Sequence, residues 1–288
     1  MGIDWTVIRA IARRELGSYV SNPAGYVFLT LFIAATGAGA FLQAGFFARN
    51  LADLALLNKV MPVILMLFVP AVTMNVWAEE RRRGTDELLL TMPVRDIEVV
   101  LGKYLGALGV YTFGLLFALA HVAVLARLGD PDLGLMISTY LGYWMVGVAF
   151  VAIGLLASMF SSNATVAFIL GAVGCAGLVF AGTAPWASGI VGCALVAGGV
   201  TLTWVVVQGS TNGAGYVALG AALVTLVIWL SNSIASFEEM FGMLGVERHF
   251  YGFGEGIVRV GDLVYFVAIT VVVLYLCTFM LGRRHWKA

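Results

Sequence analysis

Glu79-Glu80-Arg81-Arg82-Arg83-Gly84-Thr85-Asp86-Glu87-Leu88-Leu89-Leu90-Thr91-Met92-Pro93 stands between two apolar runs, roughly 60 to 78 and 100 to 126, and this contrast decides the fold class. Charge this dense has to sit in water. Each flanking run has the length of about 20 apolar residues that a helix needs to cross a hydrocarbon layer about 30 Å thick. The island therefore reads as a wet loop between two membrane spans.

Working outward, six more runs of the same kind lie at roughly 24 to 46, 135 to 160, 164 to 183, 186 to 207, 214 to 231 and 261 to 281. The 288 residues are 61% hydrophobic and 11% charged, with a mean hydropathy of +0.98, a balance that cannot cover a soluble globule. The runs are continuously apolar and rich in Gly, Ala and Leu. They do not alternate with period two, so helices are expected and membrane strands are not. The expected fold class is an all-α integral membrane protein, a polytopic helical bundle of six core spans plus an extra apolar hairpin at 186–231, eight spans in total. That hairpin, joined by Gln208-Gly209-Ser210-Thr211-Asn212-Gly213, either spans fully or is re-entrant; parity is the same in both cases.

The first run begins at about Ala24, behind a charged segment, and is too long for the apolar core of a cleaved leader. Ahead of it, Trp5, Ile8, Ala12, Leu16 and Tyr19 recur at helical spacing while Arg9, Arg13 and Arg14 take other faces. This predicts an interfacial amphipathic helix over residues 1–23, stopped by Asn22-Pro23, before the transmembrane domain of 24–288. Eleven Lys and Arg residues fall on one side of the eight-span arrangement (Arg9, Arg13, Arg14, Arg81, Arg82, Arg83, Arg95, Lys103, Arg283, Arg284 and Lys287) and five on the other. Acidic residues divide evenly. By the positive-inside rule both termini and the island, within a loop over 79–98, are expected in the cytoplasm of a multi-pass protein of the cell (inner or plasma) membrane. The loop over 232–260 is then non-cytoplasmic. Phe237, Met240, Phe241 and Leu244 give it the spacing of a short amphipathic helix, a surface for an extracytoplasmic partner or a cap on the bundle.

Several function classes are disfavoured. Cys175, Cys193 and Cys277 lie inside apolar runs at spacings that suit neither a disulfide nor a metal, and His249 and His285 lie in loops. His121 sits alone in a span. No acidic or basic side chain stands in the middle of a secure span, where ion-coupled transporters and proton pumps place such groups. The chain carries no His-Glu-x-x-His pair and no Gly-x-Ser-x-Gly elbow. It also has no phosphate loop for ATP. No catalytic, cofactor-binding or metal-binding residue is therefore expected, and no nucleic-acid contact.

Within the island, Gly84 breaks the helix of the preceding span, and Thr85 is a suitable N-cap for a new helix with Asp86 and Glu87 in its first turn. Leu88 to Leu90 form an apolar ridge and Pro93 is the stop. Asp96 is expected to cap the next span. A two-turn helix of this kind suits a groove on a soluble partner.

Glu79-Glu80-Arg81, Gly84-Thr85-Asp86-Glu87-Leu88-Leu89-Leu90-Thr91-Met92-Pro93-Val94 and Val99-Val100-Leu101-Gly102-Lys103 together resemble the signature of type-2 (ABC-2 type) ABC transporter permeases. More narrowly they are similar to the gliding-motility-type and nitrous-oxide-reductase-maturation-type branch. Ser21-Asn22-Pro23-Ala24-Gly25-Tyr26-Val27 resembles that family's first-span start, and His249-Phe250-Tyr251-Gly252-Phe253 with Asp262-Leu263-Val264-Tyr265-Phe266 its outer loop and last span. The family normally has six spans, so the hairpin at 186–231 is a departure.

The resemblance implies a permease subunit of an exporter that pairs with a second copy or a paralogue, and with separate cytoplasmic ABC ATPase subunits that bind the ATP and magnesium. The island is then the coupling helix. Glu80 and Glu87 supply polar anchoring to the ATPase, Gly84 the bend, Thr85 the start, Leu88 the ridge and Pro93 the end. Two other classes stay open from the residues: an ATPase-linked component that transmits force or signal in motility or maturation without bulk transport, and a membrane-embedded enzyme using the outer loop.

Overall fold

A computed structural model describes residues 3–42, 53–85, 94–208, 213–231 and 237–282. Among these residues it contains thirteen helices and no strand, as an apolar environment demands of backbone groups that have no water to bond. In chain order they are α1 (Trp5–Val20), α2 (Pro23–Phe41), α3 (Ala55–Thr73), α4 (Asn75–Arg83), α5 (Asp96–Ala118), α6 (Ala120–Leu128) and α7 (Leu133–Met159). There follow α8 (Ala164–Ala181), α9 (Pro185–Gln208), α10 (Ala214–Leu230), α11 (Phe237–Gly242), α12 (Val246–Gly254) and α13 (Val260–Gly282). All eight apolar runs are helical over most of their described residues. Six helices among the described residues have the length and composition to cross a membrane: α3 with α4, α5 with α6, α7, α8, α9 and α13. The shorter α10, 17 residues, and α2, bent 77° from α1, complete the eight runs.

The chain divides into two compact units. The first comprises residues 1–175 and 249–288, and α7 is its core strut. Aromatic residues pin α5 to α7: the Tyr111 hydroxyl donates to the Tyr143 carbonyl at 2.6 Å, Tyr104 to the Val148 carbonyl at 3.1 Å, and the Trp144 indole to Thr112 Oγ1 at 3.1 Å. Gly147 makes room for the Tyr111 ring, since a Cβ there would overlap it. Gly154 does the same for Thr73 of α3. Close approach at small residues is how membrane helices gain packing where lipid is as apolar as any side chain.

At one end of this unit α12 lies on α7 and α13. The Ser138 hydroxyl donates to the Phe253 carbonyl at 2.9 Å, Tyr143 stacks on Phe250, and His249 Nδ1 sits 2.8 Å from Asp262 Oδ1 with its ring on Tyr265. His249 is thus in a helix and within hydrogen-bond distance of Asp262, where a loop position is expected from the sequence. The opposite end collects α1, the end of α4, the starts of α5 and α8, and the end of α13, where Gly282 approaches Asp96.

The second unit, residues 176–248, is built on the hairpin of α9 and α10. The Trp229 ring fills the space over Gly189 and its indole donates to Glu238 Oε1 at 2.8 Å. Phe237 and Phe241 of α11 pack over Gly192, while Met240 is exposed. The three cysteines are free.

Candidate functional site

The site grows from the end of α4, where the charged island begins. Glu79 to Arg83 extend the helix of the preceding span by one more turn, up to the break expected at Gly84. Gly84 ends it in the left-handed region, φ +68°, with its N–H on the Arg81 carbonyl at 3.3 Å and the Thr85 N–H on the Glu80 carbonyl at 3.0 Å. This pair of bonds is a Schellman closure, and glycine adopts the conformation without the Cβ penalty. The Thr85 hydroxyl bonds backward to the Glu80 carbonyl at 3.3 Å. The helix expected from Thr85 to Met92 lies outside the described residues, and with it Glu87, Leu88 and Pro93.

Glu80 turns inward to the centre of the site. Its Oε1 lies 2.9 Å from Nζ of Lys103 on α5 and 2.6 Å from Arg14 on α1. Lys103 is fully buried, and its ammonium finds three acceptors for three protons: the Val76 carbonyl at 2.8 Å, Glu80, and Glu15 Oε1 at 3.3 Å. The Trp77 ring lies 4.6 Å below it. Arg14 bridges the two carboxylates, 2.9 Å from Glu15. Three helices distant in sequence are thereby joined at one cation. By contrast, Glu79 holds Arg82 and Arg83 in exposed pairs at 2.6 and 2.8 Å, an arrangement that adds about 0–1 kcal/mol.

The position of α1 explains why Glu15 reaches Lys103. Gly102, Gly106 and Gly109 form a stripe on α5, and α1 lies against it: an added Cβ would stand 2.7 Å from Ile11 Cβ, 2.5 Å from Glu15 Cβ and 2.9 Å from a Leu16 methyl, respectively. The start of α1 is held too. Buried Glu98 accepts the Asp4 N–H at 2.8 Å through one oxygen and the Arg95 N–H at 3.2 Å through the other. Arg95 is therefore the N-cap residue of α5, and Asp96, expected in that role, is the first helical residue. On α1, Ile8 and Glu15 are buried while Trp5 is 68% exposed, so the packed face is rotated from the apolar spacing. Burial, with the Glu15 charge beside it, pushes the Tyr19 phenol well above its ordinary range and keeps it a neutral hydroxyl.

Sequence reasoning places Glu80 and Gly84 in the site but misses Glu15, Glu98 and the burial of Lys103, which enters there as a cytoplasmic charge and as part of the quoted family signature. The available signal is the Gly102-x-x-x-Gly106 spacing beside that lysine. Among the described residues no three His, Cys, Asp or Glu side chains are grouped to hold a metal.

Apolar helices of spanning length, held by glycine crossings, define a polytopic helical membrane protein. A sequence model of the ABC-2 family transporter proteins matches residues 47–198, just over half of the chain, and the chain belongs to that family of transporter membrane components. No curated protein matches the chain.

Proposed function

We propose that the chain is the permease subunit of an ABC exporter, driven by separate cytoplasmic ATPase subunits that grip the island and bind the ATP and magnesium. The observation that carries this reading is the joint at Lys103. Load applied to the segment after Thr85 reaches α4 through Gly84 and Glu80, α5 through Lys103, and α1 through Glu15 and Arg14. A buried, fully bonded cation resists shear between the helices it joins, because separating them strands a charge in a low-dielectric site. Such a joint moves as one body, which is what a coupling element needs. The permease itself performs no bond chemistry; it offers different contacts in two states, and the ATPase biases them.

In this reading Gly84, Thr85, Glu87, Leu88 and Pro93 form the ATPase contact, and Glu80, expected there from the sequence, is instead turned inward to Lys103 and Arg14 and passes the load on. The positive-inside asymmetry supports a cell-membrane location with both termini in the cytoplasm. A second copy or a paralogue completes the transporter, and the residues of the island favour the gliding-motility-type and nitrous-oxide-reductase-maturation-type branch.

The test is co-purification with the ATPase. Glu87→Arg and Leu88→Asp are each expected to abolish association while membrane insertion is unchanged. Retention of the ATPase by both variants refutes the docking assignment. Hydrolysis stimulated by the permease without flux of any cargo in vesicles replaces export with transmission of force or signal.

A further inference from the structure

We propose that the elbow between α1 and α2 binds a membrane glycerophospholipid with a primary-amine headgroup, its headgroup in a polar cavity and an acyl chain in an adjoining apolar groove. Two hollows meet at Tyr19, which lines both. The polar one, about 760 Å³, is walled by α1, the α1–α2 turn and α4, with Ser18, Asn22, Asn75 and Glu80 among its lining. The apolar one, about 330 Å³, is lined by Leu16, Val20, Phe28, Phe68, Val110 and Phe113. Its mouth is flanked by the exposed rings of Tyr26 and Phe113, in a protein whose apolar exterior faces lipid. A polar chamber opening beside an apolar one at a single residue has the layout of an amphiphile.

The chemistry of the polar chamber selects the headgroup. Three guanidiniums (Arg14, Arg82, Arg83) stand with three carboxylates (Glu15, Glu79, Glu80) among the described lining residues, so both the cation and the anion of a zwitterion meet opposite charge there. Both cations that bind Glu80 use its Oε1. Its Oε2 is closed to solvent and has no hydrogen-bond partner among the described residues. The Tyr19 hydroxyl is in the same condition. A stranded carboxylate oxygen calls for a donor, and a stranded hydroxyl can donate; an ammonium and a phosphate on one headgroup answer both. Phosphocholine carries no N–H and cannot serve the carboxylate. Phosphatidylglycerol offers the carboxylate only neutral hydroxyls, where an ammonium makes the stronger, charge-assisted bond.

The inference rests on the membrane embedding of the chain and not on its ATPase, so the two readings fail separately. The full chain is purified without any partner, exposed to vesicles of equal phosphatidylethanolamine, phosphatidylcholine and phosphatidylglycerol, and the bound lipid is counted by native mass spectrometry. Phosphatidylethanolamine is expected to be retained above the other two. Tyr19→Phe, which keeps the ring and removes one hydroxyl, is expected to weaken that retention about three- to tenfold, the range for one hydrogen bond. Val110→Trp, which fills the groove, is expected to lower it with the headgroup contacts intact. Equal retention of the three lipids, retention of none, or full retention by both variants overturns the proposal. So does a photocrosslinker at Ser18 that captures protein in cells and no lipid.

Discussion

Removing Glu80 alone should destabilise the protein while removing it together with Lys103 should not, and the contrast tests the joint. In Glu80→Ala the Lys103 ammonium stays fully buried but keeps only the Val76 carbonyl and a carboxylate 3.3 Å away. Stranding a buried ion this way costs about 3–5 kcal/mol, and the remaining Glu15 places this case near the lower figure, roughly 3 kcal/mol. At about 2–4 °C per kcal/mol for a protein of this size, the thermal midpoint should fall by roughly 6–12 °C. Lys103→Met leaves Glu80 with Arg14 at 2.6 Å, whose side chain is half exposed, so its effect should be smaller. In the double variant Lys103→Met, Glu80→Gln no ion is stranded, Glu15 keeps Arg14 at 2.9 Å, and stability should return to within about 1 kcal/mol of the parent. The assay is fluorescence-detected size exclusion after graded heating, with ATPase stimulation measured in parallel. The double variant should fold yet lose stimulation, since α4 and α5 are no longer joined. Glu80→Ala as stable as the parent, or a double variant no better than Glu80→Ala, refutes the argument.

Gly106→Val would drive a side chain into Glu15 and the Ala12 carbonyl, releasing α1; proteolysis near Val20 should accelerate, and an unchanged cleavage rate contradicts the glycine-stripe packing. Gly84→Val places a β-branched residue at φ +68° in otherwise open space, which strains the backbone by about 1–2 kcal/mol, whereas Gly84→Asn should be tolerated. Co-purified ATPase should fall only in the valine variant, and equal loss in both counts against a purely backbone role. Gly147→Ala overlaps the Tyr111 ring and should lower stability by about 1–3 kcal/mol, with the combination Gly147→Ala, Tyr111→Leu recovering part of the loss. A heat-inactivation midpoint unmoved by the single change would show that α5 and α7 do not cross there.

Much of the fold is legible along the chain because a membrane span is a local property. Twenty apolar residues in a row need no knowledge of their neighbours to be read, and each of the eight runs is helical over most of its described residues. Boundaries are less legible. The break at Gly84 is read from the glycine itself, but Arg95 precedes Asp96 as the cap because Glu98 reaches back to its N–H. His249 looks idle in sequence, since its partner Asp262 becomes adjacent only when α12 folds onto α13. Gly102, Gly106 and Gly109 look like ordinary span residues until α1 is laid across them.

The amino-acid sequence by itself determined the membrane class, the helical character of the runs, the asymmetry of basic charge and the position of the island, since each follows from composition or from spacing within one segment. Only the tertiary structure decided what the charges do. Lys103 counts as one basic residue among sixteen in the sequence, but a charge acquires its meaning from what surrounds it. Glu15, Val76 and Glu80 reach it from segments far apart in the chain, and they do so because three glycines on α5 allow α1 to approach closely enough to complete the set.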